Sequence, residues 1–171
     1  MANTYTLISS NTLSSSAASV TFSSIPSTYT DLVLRISSRS SAGAVQRIMN
    51  IEFNADTTTK YSDTLLTGDG STATSTRESA VTIALIGYMP ASTATANTFG
   101  NAEIYIPSYN STSSKPFSSA TVSETNATAA YIRNAAALYT GTSGISSLRI
   151  TPSSGTMDIG SSFYLYGIKN S

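Results

Sequence analysis

The 171 residues are enough for one domain that buries roughly two-thirds of its unfolded surface without a covalent staple. Nine Lys and Arg balance nine Asp and Glu at 11% charged, so the chain lacks the basic surplus that binding a phosphate backbone needs. It has no Cys, His or Trp, which removes disulfides, thiolate nucleophiles, zinc-thiolate sites and imidazole acid-base chemistry.

The chain opens on polar residues, Met1-Ala2-Asn3-Thr4-Tyr5-Thr6, and residues 1–16 read as an N-terminal arm or edge strand, with a weak strand at residues 5–9. A Ser/Thr run at residues 9–19 reads as a loop, followed by a second weak strand at 19–24. Next comes the clearest alternation: Leu32, Leu34 and Ile36 fall on one face, Arg35 and Ser37 on the other. Met49, Ile51 and Phe53 alternate with Asn50, Glu52 and Asn54 in the same way. Tyr61-Ser62-Asp63-Thr64-Leu65-Leu66 reads as a short helical turn or a bent strand, ending in a tight turn at Gly68-Asp69-Gly70.

Residues 71–76 read as another loop, before Val81, Ile83 and Leu85 alternate with Thr82 and Ala84. Ala102, Ile104 and Ile106 alternate with Glu103 and Tyr105. After a Ser/Thr loop at 110–114 a weak strand covers 116–123. Residues 127–138 are Ala-rich and fit a helical or an extended reading equally. Leu148 and Ile150 flank Arg149, and Phe163-Tyr164-Leu165-Tyr166-Gly167-Ile168 is apolar on both faces, as expected of a central or doubly covered strand.

About nine short strands between Gly, Pro, Asn and Asp turns specify an all-β fold, an antiparallel β-sandwich with at most one or two short helical turns. Unequal loops favour a jelly roll over a meander. Residues 17–171 form the single expected domain. With no charged-then-apolar leader and no apolar run of membrane-spanning length, the expected site of synthesis and assembly is a cytoplasm, with no membrane or nucleic-acid partner. The acceptor patterns Asn110-Ser111-Thr112 and Asn126-Ala127-Thr128 are then by-products of a Ser/Thr-rich chain.

Chemistry on a substrate would have to use carboxylates, Lys or Tyr. The acids are dispersed; Glu52 and Glu103, on the polar faces of two expected strands, are the pair a glycosidase would need to set across a cleft, but their spacing does not imply one. The stretch from Asn54-Ala55-Asp56 to Gly68-Asp69-Gly70 lacks the spacing and terminal Glu of a calcium loop. No catalytic, metal or cofactor residue is assigned, and the expectation is a non-enzyme. Ten Tyr without Trp leave one ligand class open. Tyr105, Tyr109, Tyr164 and Tyr166, at outward or end-of-strand positions, are candidates for stacking on a glycan or lining a subunit interface. Ser and Thr, about a third of the chain, make a weakly charged surface that is easily desolvated, which suits burial among other subunits.

Phe22-Ser23-Ser24-Ile25-Pro26 followed by Tyr29-Thr30-Asp31-Leu32-Val33-Leu34-Arg35-Ile36-Ser37-Ser38-Arg39 resembles the opening of a group of tailed-phage virion structural proteins. The likeness continues through Phe53-Asn54-Ala55-Asp56, Tyr61-Ser62, Gly68-Asp69-Gly70-Ser71, Ile106-Pro107-Ser108-Tyr109 and Ile145-Ser146-Ser147-Leu148-Arg149-Ile150. It closes on Gly160-Ser161-Ser162-Phe163-Tyr164-Leu165-Tyr166-Gly167-Ile168-Lys169; the middle is looser, and the run around Ala135-Ala136-Ala137 departs from the pattern. The resemblance implies a place in the virion, a compact β-sandwich and a homotrimer, and it brings no catalytic residue. Two roles fit such a chain: a capsid decoration or cement protein contacting the major capsid protein, or a fibre or receptor-binding module contacting a host glycan. In the first role, residues 2–16 would act as an arm against the shell or a neighbouring subunit.

Overall fold

The computed structural model describes residues 4–126 and 130–169. Among them there is no helix, and so none long and apolar enough to cross a membrane. Twelve antiparallel strands form two sheets. The chain runs β1 (Tyr5–Thr12), β2 (Val20–Phe22), β3 (Asp31–Ser38), β4 (Gln46–Phe53), β5 (Tyr61–Gly68) and β6 (Ala73–Val81). It continues β7 (Ala84–Pro90), β8 (Gly100–Ile106), β9 (Lys115–Ser123), β10 (Tyr131–Tyr139), β11 (Leu148–Pro152) and β12 (Ser162–Ile168).

The larger sheet has the order β1-β12-β3-β8-β9-β10-β5-β6 and the smaller β2-β11-β4-β7. If the β8-β9-β10 meander is counted as one member, β2 to β11 alternate between sheets as in a jelly roll, with β5 and β6 as the one hairpin kept within a sheet. β12 and β1 then widen the larger sheet beyond β3. The fold class is therefore an all-β antiparallel sandwich, as the alternating apolar faces require.

The inward faces are those the alternation marks. Leu32, Leu34, Ile36, Ile104, Phe163 and Leu165 from the larger sheet meet Met49, Ile51, Phe53, Leu148 and Ile150 from the smaller, all within one buried cluster. At one end the cluster is aromatic: Phe53 packs edge-on against Phe117 at 5.1 Å and Tyr139 at 5.5 Å, and Tyr61 stacks on Tyr139 at 4.9 Å. The Tyr61 hydroxyl accepts from the Phe53 N–H at 2.8 Å. Burial pushes the Tyr61 phenol up, far above its ordinary value.

At four segments the structure departs from the sequence reading or decides between its alternatives. Residues 61–66 are not helical but extended, the first part of β5, because Tyr61, Asp63, Leu65 and Thr67 are all buried on one face. A buried Asp in that row hides the period-two pattern. The run at 71–76 is a loop only over residues 71–72, since β6 starts at Ala73; likewise part of the run at 9–19 lies in β1. In the Ala-rich run, residues 127–129 lie outside the described set; from Tyr131 onward the chain is extended as β10, held on both sides by β9 and β5. These additions raise nine expected strands to twelve.

The face between β6 and β7 is also inverted. The inward residues are Ala84 and Ile86, while Val81, Ile83 and Leu85 are only partly covered. The cause is a strand change at Thr82-Ile83, where the chain leaves the larger sheet for the smaller. β7 is an edge strand, and its free side lies against the inner face of the larger sheet. There the Leu85 N–H donates to Asp63 Oδ2 at 3.1 Å, and the Ile86 carbonyl accepts from Ser119 Oγ at 2.6 Å. Polar residues on an inward face thus satisfy backbone groups that would otherwise be buried without partners.

Candidate functional site

Register fixes which side chains share the outer face of the larger sheet. One row runs Leu7, Tyr166, Val33, Tyr105, Ser118, Ala136 and Thr64. The next runs Tyr164, Arg35, Glu103, Ala120, Asn134 and Leu66. The smaller sheet covers the opposite face, so these rows point away from the core.

Among the described residues seven large apolar side chains are exposed, and six of them lie on this one face: Tyr5, Leu7, Tyr164, Tyr105, Leu66 and Ile132. Ile159, in the loop before β12, is the seventh. Ile132 and Leu66 are more than half exposed, at 55% and 54%. Isolated exposed apolar residues are ordinary; six gathered on one sheet face make a continuous apolar surface.

The relief is uneven. Over β1, β12, β3 and β8 the aromatic rings stand up, with Tyr5 edge-on to Tyr166 at 6.5 Å. They enclose Val33, which is only 3% exposed although it points outward. Over β9 and β10 the floor is Ser118, Ala120, Asn134 and Ala136, and the surface falls into two depressions of about 410 and 300 Å³. Beyond them Leu66 and Ile132 rise again. The face carries little charge. Arg35 Nε donates to Glu103 Oε2 at 2.9 Å across the middle of the sheet, so the two cancel, and the Arg35 guanidinium lies 6.0 Å from the Tyr166 ring centre.

Both edges of the larger sheet are bare. β6 is exposed along nearly its whole length and β1 is exposed except at Ile8. Long strands with one unpaired side are templates for pairing unless charge or proline blocks them. β1 has neither, and β6 carries only Arg77 and Glu78.

Of the four tyrosines singled out by sequence, three line this face: Tyr105 and Tyr164 are exposed and Tyr166 is partly covered. The Tyr105 hydroxyl donates to Asp31 Oδ2 at 2.8 Å, and that bond, with burial, pushes its phenol up. Tyr109 does not belong with them. It is 0% exposed, its hydroxyl donates to the Pro26 carbonyl, and it closes the β8–β9 end of the core, so the outward placement expected of it is corrected. Sequence reasoning missed Leu66 and Ile132, which sit on segments it left between a helical and an extended reading, and the small floor residues of β9 and β10.

The remaining polar groups serve structure. Asp56 Oδ2 accepts from Lys60 Nζ at 2.8 Å and from the Tyr139 hydroxyl at 2.9 Å. Lys60, then Thr58, hold that carboxyl well below the usual range, while burial and the bond to Asp56 push Tyr139 up to about 12. Asp69 accepts from the N–H groups of Ser71 and Thr72 at 2.9 and 2.7 Å, closing the β5–β6 hairpin, and these bonds lower its pKa. Asp56 and Asp69 therefore stand at opposite ends of β5, too far apart to share a cation. Among the described residues no cluster of three or more acids is placed to hold a metal ion.

Glu52 and Glu103 do not face one another. Glu103 is exposed on the larger sheet, and Glu52 is buried on β4 of the smaller, which corrects its expected solvent-facing position. Lys115 is buried, donating to the carbonyls of Gly141 and Ser143 at 2.8 and 2.7 Å, and burial lowers its pKa. Arg39 ties down the segment between β7 and β8 through the carbonyls of Thr95, Thr98 and Ala94 at 2.9 to 3.2 Å. No family model and no curated protein matches the chain.

Proposed function

We propose that this chain is a structural subunit of a tailed-phage virion, a capsid decoration or cement protein that works by contact with the major capsid protein and with copies of itself. The observation that carries the reading is the outer face of the larger sheet, where six of the seven exposed large apolar side chains among the described residues gather around a self-neutralised ion pair. A surface of that kind costs little to desolvate and is expensive to leave in water. Zero net charge, bare sheet edges and the sequence likeness to virion proteins point the same way. Assembly in the host cytoplasm is part of this reading.

Quantitative mass analysis of purified virions tests it. A copy number matching the capsomers of the shell supports decoration, and absence from the particle refutes any virion role. A few copies per particle would favour the second reading, a fibre or receptor-binding module. Tyr164 and Tyr166 beside the Arg35–Glu103 pair are the observation behind that alternative, since aromatic faces flanked by hydrogen-bonding groups suit a glycan. Glycan binding abolished by Tyr164→Ala would support it.

A further inference from the structure

We infer that the outer face of the larger sheet pairs with the same face of a second copy about a two-fold axis parallel to the strands, running over the boundary between β3 and β8. The inference rests on the reading of this face as a covered surface and adds what covers it.

Three observations select the occupant and the axis. First, the relief is self-complementary. β12 and β9 lie equally far on either side of the β3–β8 boundary, as do β1 and β10. Rotation about an axis over that boundary therefore sets the aromatic ridge of each copy into the small-residue furrow of the other. Tyr164 comes over Ala120 of the second copy, Tyr166 over its Ser118 and Leu7 over its Ala136. A two-fold perpendicular to the strands, also in the plane, would instead set ridge on ridge.

Second, the charges match. Arg35 and Glu103 occupy the same register row on the two strands that flank the axis. Each Arg35 then lies over the partner's Glu103, and four charges alternate around the axis. A partner face with its own net charge would meet a net-neutral pair here, whereas an identical face sets each charge against its opposite.

Third, the area suffices. The six strands from β1 to β10 that overlap in this arrangement span roughly 29 Å by 23 Å at ordinary strand spacing and rise. The pair would bury about 1,300 Å² in total, within the range of specific interfaces. Twisted sheets pack face to face with their strands within about 30° of one another, which a strand-parallel axis allows. The contact is isologous, so it closes at two copies and leaves β5, β6 and the unpaired backbone side of β1 outside it.

The test uses the whole chain, which has no cysteine of its own. Sedimentation equilibrium should find twice the 17.8 kDa chain mass at micromolar concentration. Ala120→Arg, at an exposed position, should give a folded monomer. Glu103→Lys should weaken pairing at least about a hundredfold by setting like charges together across the axis, while costing the isolated fold little. The Arg35→Glu, Glu103→Arg double variant should restore it.

Within one chain residues 164 and 120 are three strands apart, about 14 Å, beyond disulfide reach. The Tyr164→Cys, Ala120→Cys variant should therefore form no disulfide within a copy, and a short bismaleimide should link two copies, across the roughly 10 Å between facing sheets, into a covalent dimer that neither single cysteine variant forms. A wild-type monomer, an oligomer indifferent to Ala120→Arg and Glu103→Lys, or failure of the cysteines to link copies overturns the inference. Monomers that still enter virions would sink the pairing and leave the virion reading standing. Dimers absent from virions would do the reverse.

Discussion

Replacing Gly87 by Ala should be among the most damaging one-carbon changes in this protein. Gly87 has φ of 149°, and a Cβ there would meet Thr121 Oγ1 at 2.1 Å and Cγ2 at 2.2 Å. Thr121 cannot swing away: it is β-branched, 1% exposed, and its hydroxyl donates to the Arg133 carbonyl at 3.2 Å. Overpacking of this kind costs about 1–3 kcal/mol, and the positive φ adds about 1 kcal/mol for an L side chain. A total near 3 kcal/mol lowers the melting temperature of a domain this size by roughly 6–12 °C.

Calorimetry of Gly87→Ala measures this directly. A double-mutant cycle with Thr121→Ala separates the contact from the backbone strain, and the coupling should recover about 1 kcal/mol or more. A melting temperature within about 2 °C of wild type would refute the close docking of β7 on β9, and with it the way the two sheets are clasped.

Arg39→Ala strands several buried carbonyls between β7 and β8 and should cost about 3 kcal/mol, with faster amide exchange at Ala94 and Thr98. Tyr109→Phe should lower stability by about 1 kcal/mol through loss of the bond to Pro26 and leave any glycan or self-association readout untouched; a change in binding would return Tyr109 to the site. Asp63 is held above the ordinary carboxyl range by burial, so the folded state binds its proton more tightly than the unfolded one. That contribution is present at low pH and lost as pH rises through the raised value. Asp63→Asn keeps an acceptor for the Leu85 N–H, and its urea midpoint relative to wild type should therefore improve from pH 3 to pH 7.

Much of the sandwich was legible because its strongest strands carry their burial in their own residues. Leu32, Leu34 and Ile36, or Met49, Ile51 and Phe53, announce an inward face whatever the rest of the chain does. β5 and β10 do not, for one shared reason. The inner face beneath β7 must supply hydrogen bonds and fill narrow space, so it holds Asp63 and Thr67 on one strand and Arg133, Ala135 and Ala137 on the other. Arg133 is buried there with its guanidinium 4.2 Å from the centre of the Tyr88 ring, a partner far away in sequence.

The site divides along the same line. Tyr105, Tyr164 and Tyr166 were readable as outward residues of strands with a clear apolar face. Tyr109 was not, because whether a residue just past a strand end turns in or out depends on the loop it meets, here at Pro26. That the chain folds as an all-β sandwich of zero net charge is contained in its local periodicity and composition. That Leu7, Tyr105, Tyr164, Leu66 and Ile132 stand on one continuous surface is not, since β1, β8, β12, β5 and β10 are brought side by side only by the order of strands in the sheet. Periodicity assigns a side chain to a face of its own strand, but strand order, which sums backbone pairing over the whole chain, decides which faces become one surface.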